Sequence, residues 1–212
     1  MPTPPCARLY KHALESIFSH LTLSEIARTS AVCRDWSAAV DSMRPIGASV
    51  RNPLDFQAAF KSRLMRHVLD LHISGGALFG PSLAGLCDAI RQSKLLATLG
   101  LFNNYINKGD AVVIADAIKQ SKSLTTVNMY GNAIGDDGAI ALAEVIKQST
   151  SLVTVGLMFN DIGTVGALAI AEAIKQSRLI TKVNLDWNSI GSIGRAALTD
   201  AIKHRDKKVV CS

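Results

Sequence analysis

The chain has few of the residue patterns from which metal sites, disulfides and membrane spans are built. Only 5% of its 212 residues are aromatic, and its four cysteines are scattered, with no C-x-x-C pair. Neither a zinc site nor a disulfide framework is therefore indicated. The sequence contains no apolar run of the ~18 residues that a membrane span needs. The opening MPTPPC also lacks the charged-then-apolar pattern of a secretory signal. We expect no membrane association and a location in the cytoplasm or the nucleus.

Residue types that perform catalysis are present but are not grouped. The five histidines lie in unrelated contexts, and none has a cysteine or serine at nucleophile-like spacing. The glycine-rich stretch at 74–76 is followed by no G-K-[ST], so a phosphate-binding loop is not indicated. The acidic stretch at 136–138 lacks the remaining ligands of a calcium loop. The sequence predicts no active site, no cofactor and no metal.

A repeat with a fixed period occupies most of the chain. Five near-identical segments, AIRQSK, AIKQSK, VIKQST, AIKQSR and AIKHRD, recur every 28 residues without insertion or deletion and begin at Ala89, Ala117, Val145, Ala173 and Ala201. A period of about 20–50 residues is typical of stacked-repeat proteins. We therefore predict one continuous array from residue 68 onwards.

Each period contains a short strand followed by a helix. Leu99 and Leu101 stand two residues apart, as do Val155 and Leu157. This spacing places the two apolar side chains of each pair on the same side of a strand. A helical stripe at i, i+3, i+4 and i+7 follows, for example Ala139, Leu142, Ala143 and Ile146. The sequence predicts an α/β fold that alternates one strand with one helix.

Polar residues mark the boundaries of these elements. They recur at equivalent positions of successive repeats, and we call each such set of equivalent positions a column. Asp136, Thr164 and Ser192 share a column before the helix and are predicted to be N-caps. In the first unit Gly80 takes the cap position and Pro81 the first helical position. An asparagine column follows each strand and contains Asn104, Asn132, Asn160 and Asn188.

This combination resembles the leucine-rich repeat family, in its ribonuclease-inhibitor-like class. The resemblance implies a solenoid with parallel strands on the concave side and helices on the convex side. It also implies that the asparagine column forms a ladder of hydrogen bonds to loop backbone, and we assign that column to stability.

The positive charge of the chain is arranged in a column. The net charge is +6, and one column at the last helical turn holds Arg91, Lys119, Lys147, Lys175 and Lys203. Cations there complement the negative end of the helix dipole. The alternative is a basic ridge that contacts an acidic partner. No aromatic residues interleave with the column, so a nucleic-acid partner is not expected.

Residues 1–45 do not follow the repeat. Between Leu9 and Trp36 the spacing of apolar residues predicts three short helices, too small to bury their own apolar surface. The segment is similar to the F-box, whose pattern is LP, then I-[FL]-x-x-L, then V-C-x-x-W. Ile17, Phe18 and Leu21 match the central block, and Tyr10 stands where the family has proline.

The resemblance to the F-box implies docking on a Skp-family adaptor within a cullin complex. The residues expected to bind the adaptor are Leu9, Leu14, Ile17, Phe18, Leu21, Leu23, Ile26, Val32, Cys33 and Trp36. The alternative is that this head is a three-helix cap that closes the open end of the solenoid. Residues 46–67 are predicted to be a linker and an irregular capping helix that starts after Asn52-Pro53 and carries Phe56, Phe60 and Leu64.

The scarce aromatic residues of the repeats collect at one edge of the predicted concave face. Four of them lie in two neighbouring columns at the strand ends. Together with a methionine and an aspartate from one of these columns, they form the candidate target-binding set Phe102, Tyr130, Met158, Phe159, Asp186 and Trp187. Tyrosine and tryptophan are favoured at the centres of protein interfaces. The alternative is that these side chains merely cover the turn between strand and helix.

These features predict a non-enzymatic, protein-binding chain with an F-box-like head (1–45), a linker and capping helix (46–67) and about five leucine-rich repeats (68–212). By resemblance it would be the substrate-recognition subunit of an SCF-type (cullin-RING) ubiquitin ligase, and a monomer outside that complex. The alternative is a leucine-rich-repeat scaffold without a ligase role.

Overall fold

The computed structural model describes the backbone of residues 46–50 and 210–211 and all atoms of residues 68–75, 78 and 80–203. The ten residues predicted to bind an adaptor lie outside the described residues, as does the helix predicted after Asn52-Pro53. The predictions for residues 1–45 and for that helix therefore stay predictions.

The described residues form a parallel sheet of seven strands in which every strand pairs with its neighbours in sequence. The strands are β1 (Ile46–Val50), β2 (Val68–Ser74), β3 (Thr98–Phe102), β4 (Thr126–Asn128), β5 (Thr154–Gly156), β6 (Lys182–Asn184) and β7 (Val210–Cys211). Strand β1 was not predicted, because a single five-residue strand with Gly47 and no following repeat motif was interpreted as linker. It pairs with β2 through an irregular register between Ile46 and Gly47.

One helix follows each of the strands β2 to β6, so the described part of the chain contains five strand–helix units. The helices are α1 (Pro81–Gln92), α2 (Lys108–Gln120), α3 (Gly135–Gln148), α4 (Thr164–Gln176) and α5 (Gly191–Lys203). The predicted α/β alternation is confirmed, and so are Gly80 as N-cap and Pro81 as first helical residue of α1.

A single hydrophobic core lies between the sheet and the helices. The inward strand column pairs in register, from Leu71 through Leu99 and Val127 to Val155 and Val183, and all five side chains are buried. On the helix side, α1 to α4 contribute the apolar stripe, which is buried throughout, whereas α5 buries only Gly194, Leu198 and Ala201. Because each unit buries its apolar face against its neighbours, the array is stable only as a stack.

The asparagine column forms the predicted ladder. The Asn132 Nδ2 group donates to the carbonyl oxygens of Leu101 and Met129, both at 2.8 Å. Its Oδ1 accepts from the backbone N–H groups of Asn104 and Ile106, both at 3.0 Å. One side chain thus pairs backbone groups of two successive units beyond the end of the β3–β4 ladder, which stops at Gly100 and Asn128.

The ladder has one irregular step in the described residues. Asn160 is fully buried and its Nδ2 donates to Met129 and Met158, but its Oδ1 has no hydrogen-bond partner there. The backbone N–H of Asn132 donates instead to the carbonyl oxygen of Phe159, at 3.1 Å. The loop of the third unit therefore adopts a different path from the others.

The predicted N-cap column was wrong by one or two residues, and its side chains have a different role. Helix α3 begins at Gly135 and α4 at Thr164, so Asp136 and Thr164 lie inside their helices, as Ser192 does in α5. The Asp136 Oδ1 accepts from the N–H groups of Gly163 and Gly166, at 2.7 and 2.8 Å. It therefore caps the next helix in the stack rather than its own.

A cap within the same unit occurs at α2. The Asn107 side chain accepts hydrogen bonds there from the N–H groups of Gly109 and Asp110, and the Asp110 carboxylate accepts a hydrogen bond from the Asn107 N–H. The column of Asn107 holds glycine in the following units, at Gly135, Gly163 and Gly191. In α4 a side chain from the neighbouring unit supplies the missing cap.

Replacing Asn132 by alanine should lower the free energy of unfolding by about 3 kcal/mol or more, because the buried N–H groups of Asn104 and Ile106 and the carbonyl of Leu101 lose their hydrogen bonds to its side chain. Urea unfolding followed by circular dichroism measures the change. Asn103→Gly is the matched control, because Asn103 is exposed with a positive φ that glycine adopts freely. A loss below ~1 kcal/mol for Asn132→Ala would contradict the assigned role of the ladder.

Replacing Asp136 by alanine should cost about 1–2 kcal/mol, the usual loss for an N-cap, although Asp136 lies in a different helix from the one it caps. Asp137→Ala is the control, since Asp137 lies in the same first turn but only forms an exposed ion pair with Lys108 at 3.3 Å. Such pairs contribute ~0–1 kcal/mol. Equal losses for the two variants would refute capping across the units.

Candidate functional site

The outward columns of β2 to β6 form the concave face. Parallel strands lie ~4.8 Å apart, so residues of one column are neighbours. The central column holds His72, Gly100, Asn128, Gly156 and Asn184 in register. Glycine is required at the second position because a Cβ on Gly100 would overlap the rings of His72 and Phe102. The alternation of glycine and asparagine leaves this face shallow.

The aromatic side chains at the edge of this face divide into two groups. Phe102 stacks on His72, with ring centroids 5.6 Å apart and planes at 13°. Phe159 contacts Tyr130 edge-on, with centroids 5.6 Å apart, and stacks on Trp187, with centroids 5.1 Å apart and planes at 6°. We call the set Tyr130, Phe159 and Trp187 the aromatic ledge.

The candidate target-binding residues are thus only partly brought together. Phe159 contacts both Tyr130 and Trp187, whereas Phe102 turns towards His72 on the preceding strand. The backbone N–H of Phe159 donates to the carbonyl oxygen of Asp186, at 3.1 Å, which places Asp186 beside the ledge. Met158 and Asp186 are half-buried in the column of Tyr130. Phe102 was grouped with the others because its column was visible in the sequence and the direction of its ring was not.

The ledge residues Phe159 and Trp187 have backbone conformations that bulky side chains rarely adopt. Their φ angles are 55° and 56°, in the left-handed region. The same column holds Gly75, Asn103 and Gly131, all with positive φ. Glycine and asparagine adopt this region readily, whereas another residue costs of order 1 kcal/mol. Two large aromatic residues are therefore present where the backbone favours small ones.

The aromatic ledge is open to solvent. Trp187 is 73% exposed and Phe159 is 42% exposed, whereas a side chain that covered a turn would bury most of its area there. Tyr105, at 80% exposed and with a φ of 54°, is a further aromatic residue of the strand-to-helix loops. The sequence analysis missed Tyr105 because its column otherwise holds Ala133, Asp161 and Ser189 and shows no pattern.

Two carboxylates lie close to the ledge residues in the sequence. Asp186 precedes Trp187, and the exposed Asp161 follows Phe159 by two residues. Within the described part of the chain, neither carboxylate forms an ion pair. The edge of the concave face around Trp187 is therefore aromatic, and Asp186 and Arg195 line one recess there without forming an ion pair.

The basic column on the convex side is largely neutralised. All five cations occupy the last turn of their helices, as predicted. Arg91 pairs with Asp116 at 3.0 Å, Lys147 with Glu144 at 2.7 Å and Lys175 with Asp200 at 2.6 Å. The hydrogen bond from Lys147 lowers the pKa of Glu144. These pairs favour the helix-dipole interpretation over a ridge for an acidic partner.

Chemically reactive groups are sparse in the described residues. These residues contain no cluster of three or more His, Cys, Asp or Glu side chains that could hold a metal ion. Cys87 is buried, and desolvation raises the pKa of its thiol, so the reactive thiolate is disfavoured. None of the helices in the described ranges is long and apolar enough to cross a membrane.

The strained backbone of the ledge leads to a stability prediction. Trp187→Asn should leave the free energy of unfolding within about 1 kcal/mol of the original or raise it, because asparagine relieves the strain and little buried area is lost. Urea unfolding measures this, and Leu185→Ala, at a buried neighbour, should cost ~2–5 kcal/mol in the same assay. A loss above ~2 kcal/mol for Trp187→Asn would mark Trp187 as a structural residue.

Comparison with known proteins identifies both parts of the chain. The model of the F-box domain matches residues 7–46, and that of the leucine-rich repeat matches residues 120–143, 148–171 and 176–198. No sequence among the curated proteins matches the chain.

Two solved structures illustrate the similarity in fold. Actin-binding site 2 of leiomodin-1 matches with a TM-score of 0.54 and 17% identity, over 65% of this chain and 81% of that one. The tropomodulin C-terminal domain from Caenorhabditis elegans matches with a TM-score of 0.53 and 17% identity, over 61% and 82% of the two chains. At this identity the likeness concerns the fold alone.

Both domain types are typically non-catalytic interaction modules. An F-box implies a Skp-family adaptor as partner, and leucine-rich repeats imply a protein target. The predicted solenoid is also the observed fold, with its strand ladder, asparagine ladder and outer helices. The chain therefore combines an F-box domain at residues 7–46 with C-terminal leucine-rich repeats.

Proposed function

We propose that this chain is the substrate-recognition subunit of an SCF-type (cullin-RING) ubiquitin ligase. The observation that carries the proposal is the F-box match at residues 7–46 in the same chain as a leucine-rich repeat solenoid. The F-box would dock a Skp-family adaptor and through it the cullin complex. The repeats would hold a target protein near the ubiquitin-carrying enzyme and so raise its effective concentration.

The concave edge is the surface that we assign to the target. Its exposed aromatic ledge combines a large contact area with the residue types that dominate protein interfaces. The convex side, by contrast, presents cations that are already paired with carboxylates. The chain itself makes and breaks no bonds in this proposal, and it acts in the cytoplasm or the nucleus as a monomer until it joins the ligase.

The adaptor contact is tested by a pull-down of the full chain with a purified Skp-family adaptor. The intact chain should bind, and Ile17→Asp/Phe18→Asp should lose binding by 10-fold or more, since charges would enter an apolar interface. Val165→Asp is the control, because it places the same charge on an exposed apolar residue of α4. Circular dichroism verifies that the repeats of each variant remain folded.

The outcome of this pull-down separates the proposal from its alternative. An intact chain that binds no adaptor would refute the ligase proposal, identify Tyr10 as the first residue to exchange for proline, and leave a leucine-rich-repeat scaffold. Equal adaptor binding by the intact and doubly substituted chains would refute the assignment of Ile17 and Phe18.

The ligase role itself is tested in cells that express either the intact or the Ile17→Asp/Phe18→Asp chain. Proteins that co-purify with both chains are compared for attached ubiquitin by mass spectrometry. We expect at least one shared partner to carry less ubiquitin with the substituted chain, because the partner is held but no ligase is recruited. Unchanged ubiquitination of every shared partner would contradict the proposal.

A further inference from the structure

We propose that the aromatic ledge binds an arginine side chain on an extended segment of the target protein. The inference rests on the proposed function, because it assigns a chemical class of ligand to the concave edge used for target recognition. Four observations carry it: the open ring surface, the strained backbone beneath it, the nearby carboxylates that form no ion pair within the described residues, and the amide groups on the adjacent strands.

The ring stack offers one open face to a ligand. Trp187 stacks on Phe159 at 5.1 Å with nearly parallel planes, and Tyr130 supports Phe159 from the edge. Because 73% of Trp187 remains exposed, the indole face turned away from Phe159 is accessible. A planar guanidinium group stacks on such a face and is attracted by the ring quadrupole.

The backbone under the ledge argues against a structural origin of these rings. Phe159 and Trp187 occupy the left-handed column in which Gly131 and Asn103 serve equally well in other units. Residues held in such conformations are typical of ligand-binding sites, where the position of the side chain matters more than the local cost. The two rings are adjacent in space, so the strained positions form a single surface.

The charges beside the ledge select a cation. The Asp186 carboxylate adjoins Trp187 in sequence and projects from the strand-end column of Tyr130 and Met158, and Asp161 lies in the loop that follows Phe159. Arg195 lines a recess together with Asp186 and Trp187, but within the described residues it pairs with neither carboxylate. A ligand guanidinium would bond to a carboxylate with two N–H groups while it stacks on the indole, which an ammonium group cannot do.

The adjacent strands can accommodate an extended peptide. Asn128 and Asn184 use their Oδ1 atoms to accept the N–H groups of Tyr130 and Asp186, at 3.1 and 2.9 Å. Their Nδ2 groups therefore face away from these bonds and have no partner among the described residues. Gly156 lies between them on the intervening strand, and the Asn128 amide occupies the space that a side chain there would fill. A peptide carbonyl oxygen would bond to these donors from above the sheet.

The test is a selection of peptides from a displayed random library on the immobilised full chain. We expect the selected peptides to share one position at which arginine is enriched about tenfold over lysine and glutamine. Individual peptides are then remade with arginine, lysine or the neutral isostere citrulline. Their affinities are compared by fluorescence anisotropy, with citrulline binding at least 10-fold more weakly.

Matched variants locate the binding site. Trp187→Asn and Asp186→Asn should each abolish the preference for arginine over citrulline, whereas Trp187→Phe should retain much of it because a ring remains. Val165→Asp, on the convex side, should have no effect. In a chain with Trp36→Phe, Trp187 is the only tryptophan, so its fluorescence should change when the arginine peptide binds.

Several outcomes would overturn the inference: no enriched peptide, a consensus that is acidic or purely apolar, or arginine peptides that bind Trp187→Asn unchanged. A chain that selects no arginine but binds its adaptor and directs ubiquitination keeps the proposed function. A chain that selects arginine peptides but binds no adaptor keeps the inference and loses the ligase role.

Discussion

The structure depends on how backbone groups are paired where the strands end. Strands β4 to β6 are only three residues long, so most of each 28-residue unit lies outside the strand ladder. Buried N–H and C=O groups without partners are costly. The asparagine ladder supplies these partners, since Asn132 alone pairs with groups in its own unit and in the preceding one. Every unit therefore requires its neighbour for polar pairing as well as for the hydrophobic core.

This mutual dependence explains both the success and the failure of the sequence analysis. Positions that have the same role in every unit were predictable. Their side chains contact the equivalent side chains of the next unit, so the same residue type recurs every 28 residues in the sequence. The inward column from Leu71 to Val183 is of this kind, and so is the asparagine column apart from the irregular step at Asn160. The fold followed from them, and so did the positions of the helices to within one or two residues.

The errors concern residues that interact differently in different units. Aspartate is a residue type that often caps helices, and Asp136 does cap a helix. The helix is α4 of the next unit, where the N-cap residue Gly163 has no side chain that could accept a hydrogen bond. A single-unit pattern cannot show this, because the bond joins residues 27 positions apart. The prediction for Phe102 was wrong in part for the same reason. Gly100 leaves space for the Phe102 ring to stack on His72, so this ring does not join the other aromatic side chains with which its spacing grouped it.

The candidate site combines both kinds of information. Its aromatic residues were visible in the sequence, but their left-handed backbone conformation was not. Phenylalanine and tryptophan are not residue types that indicate a positive φ, which Phe159 and Trp187 nevertheless have. The column indicates it only through Gly75, Asn103 and Gly131, which precede them in the array.

A regular solenoid tolerates bulky residues at left-handed loop positions, because the asparagine ladder and the hydrophobic core hold each loop in place whatever its outward side chain is. The loops can therefore vary in chemistry without a change in fold, and the strained, exposed rings at Phe159 and Trp187 are the clearest use of that freedom. The surface that we propose for target recognition therefore lies where the repeat departs from its own consensus.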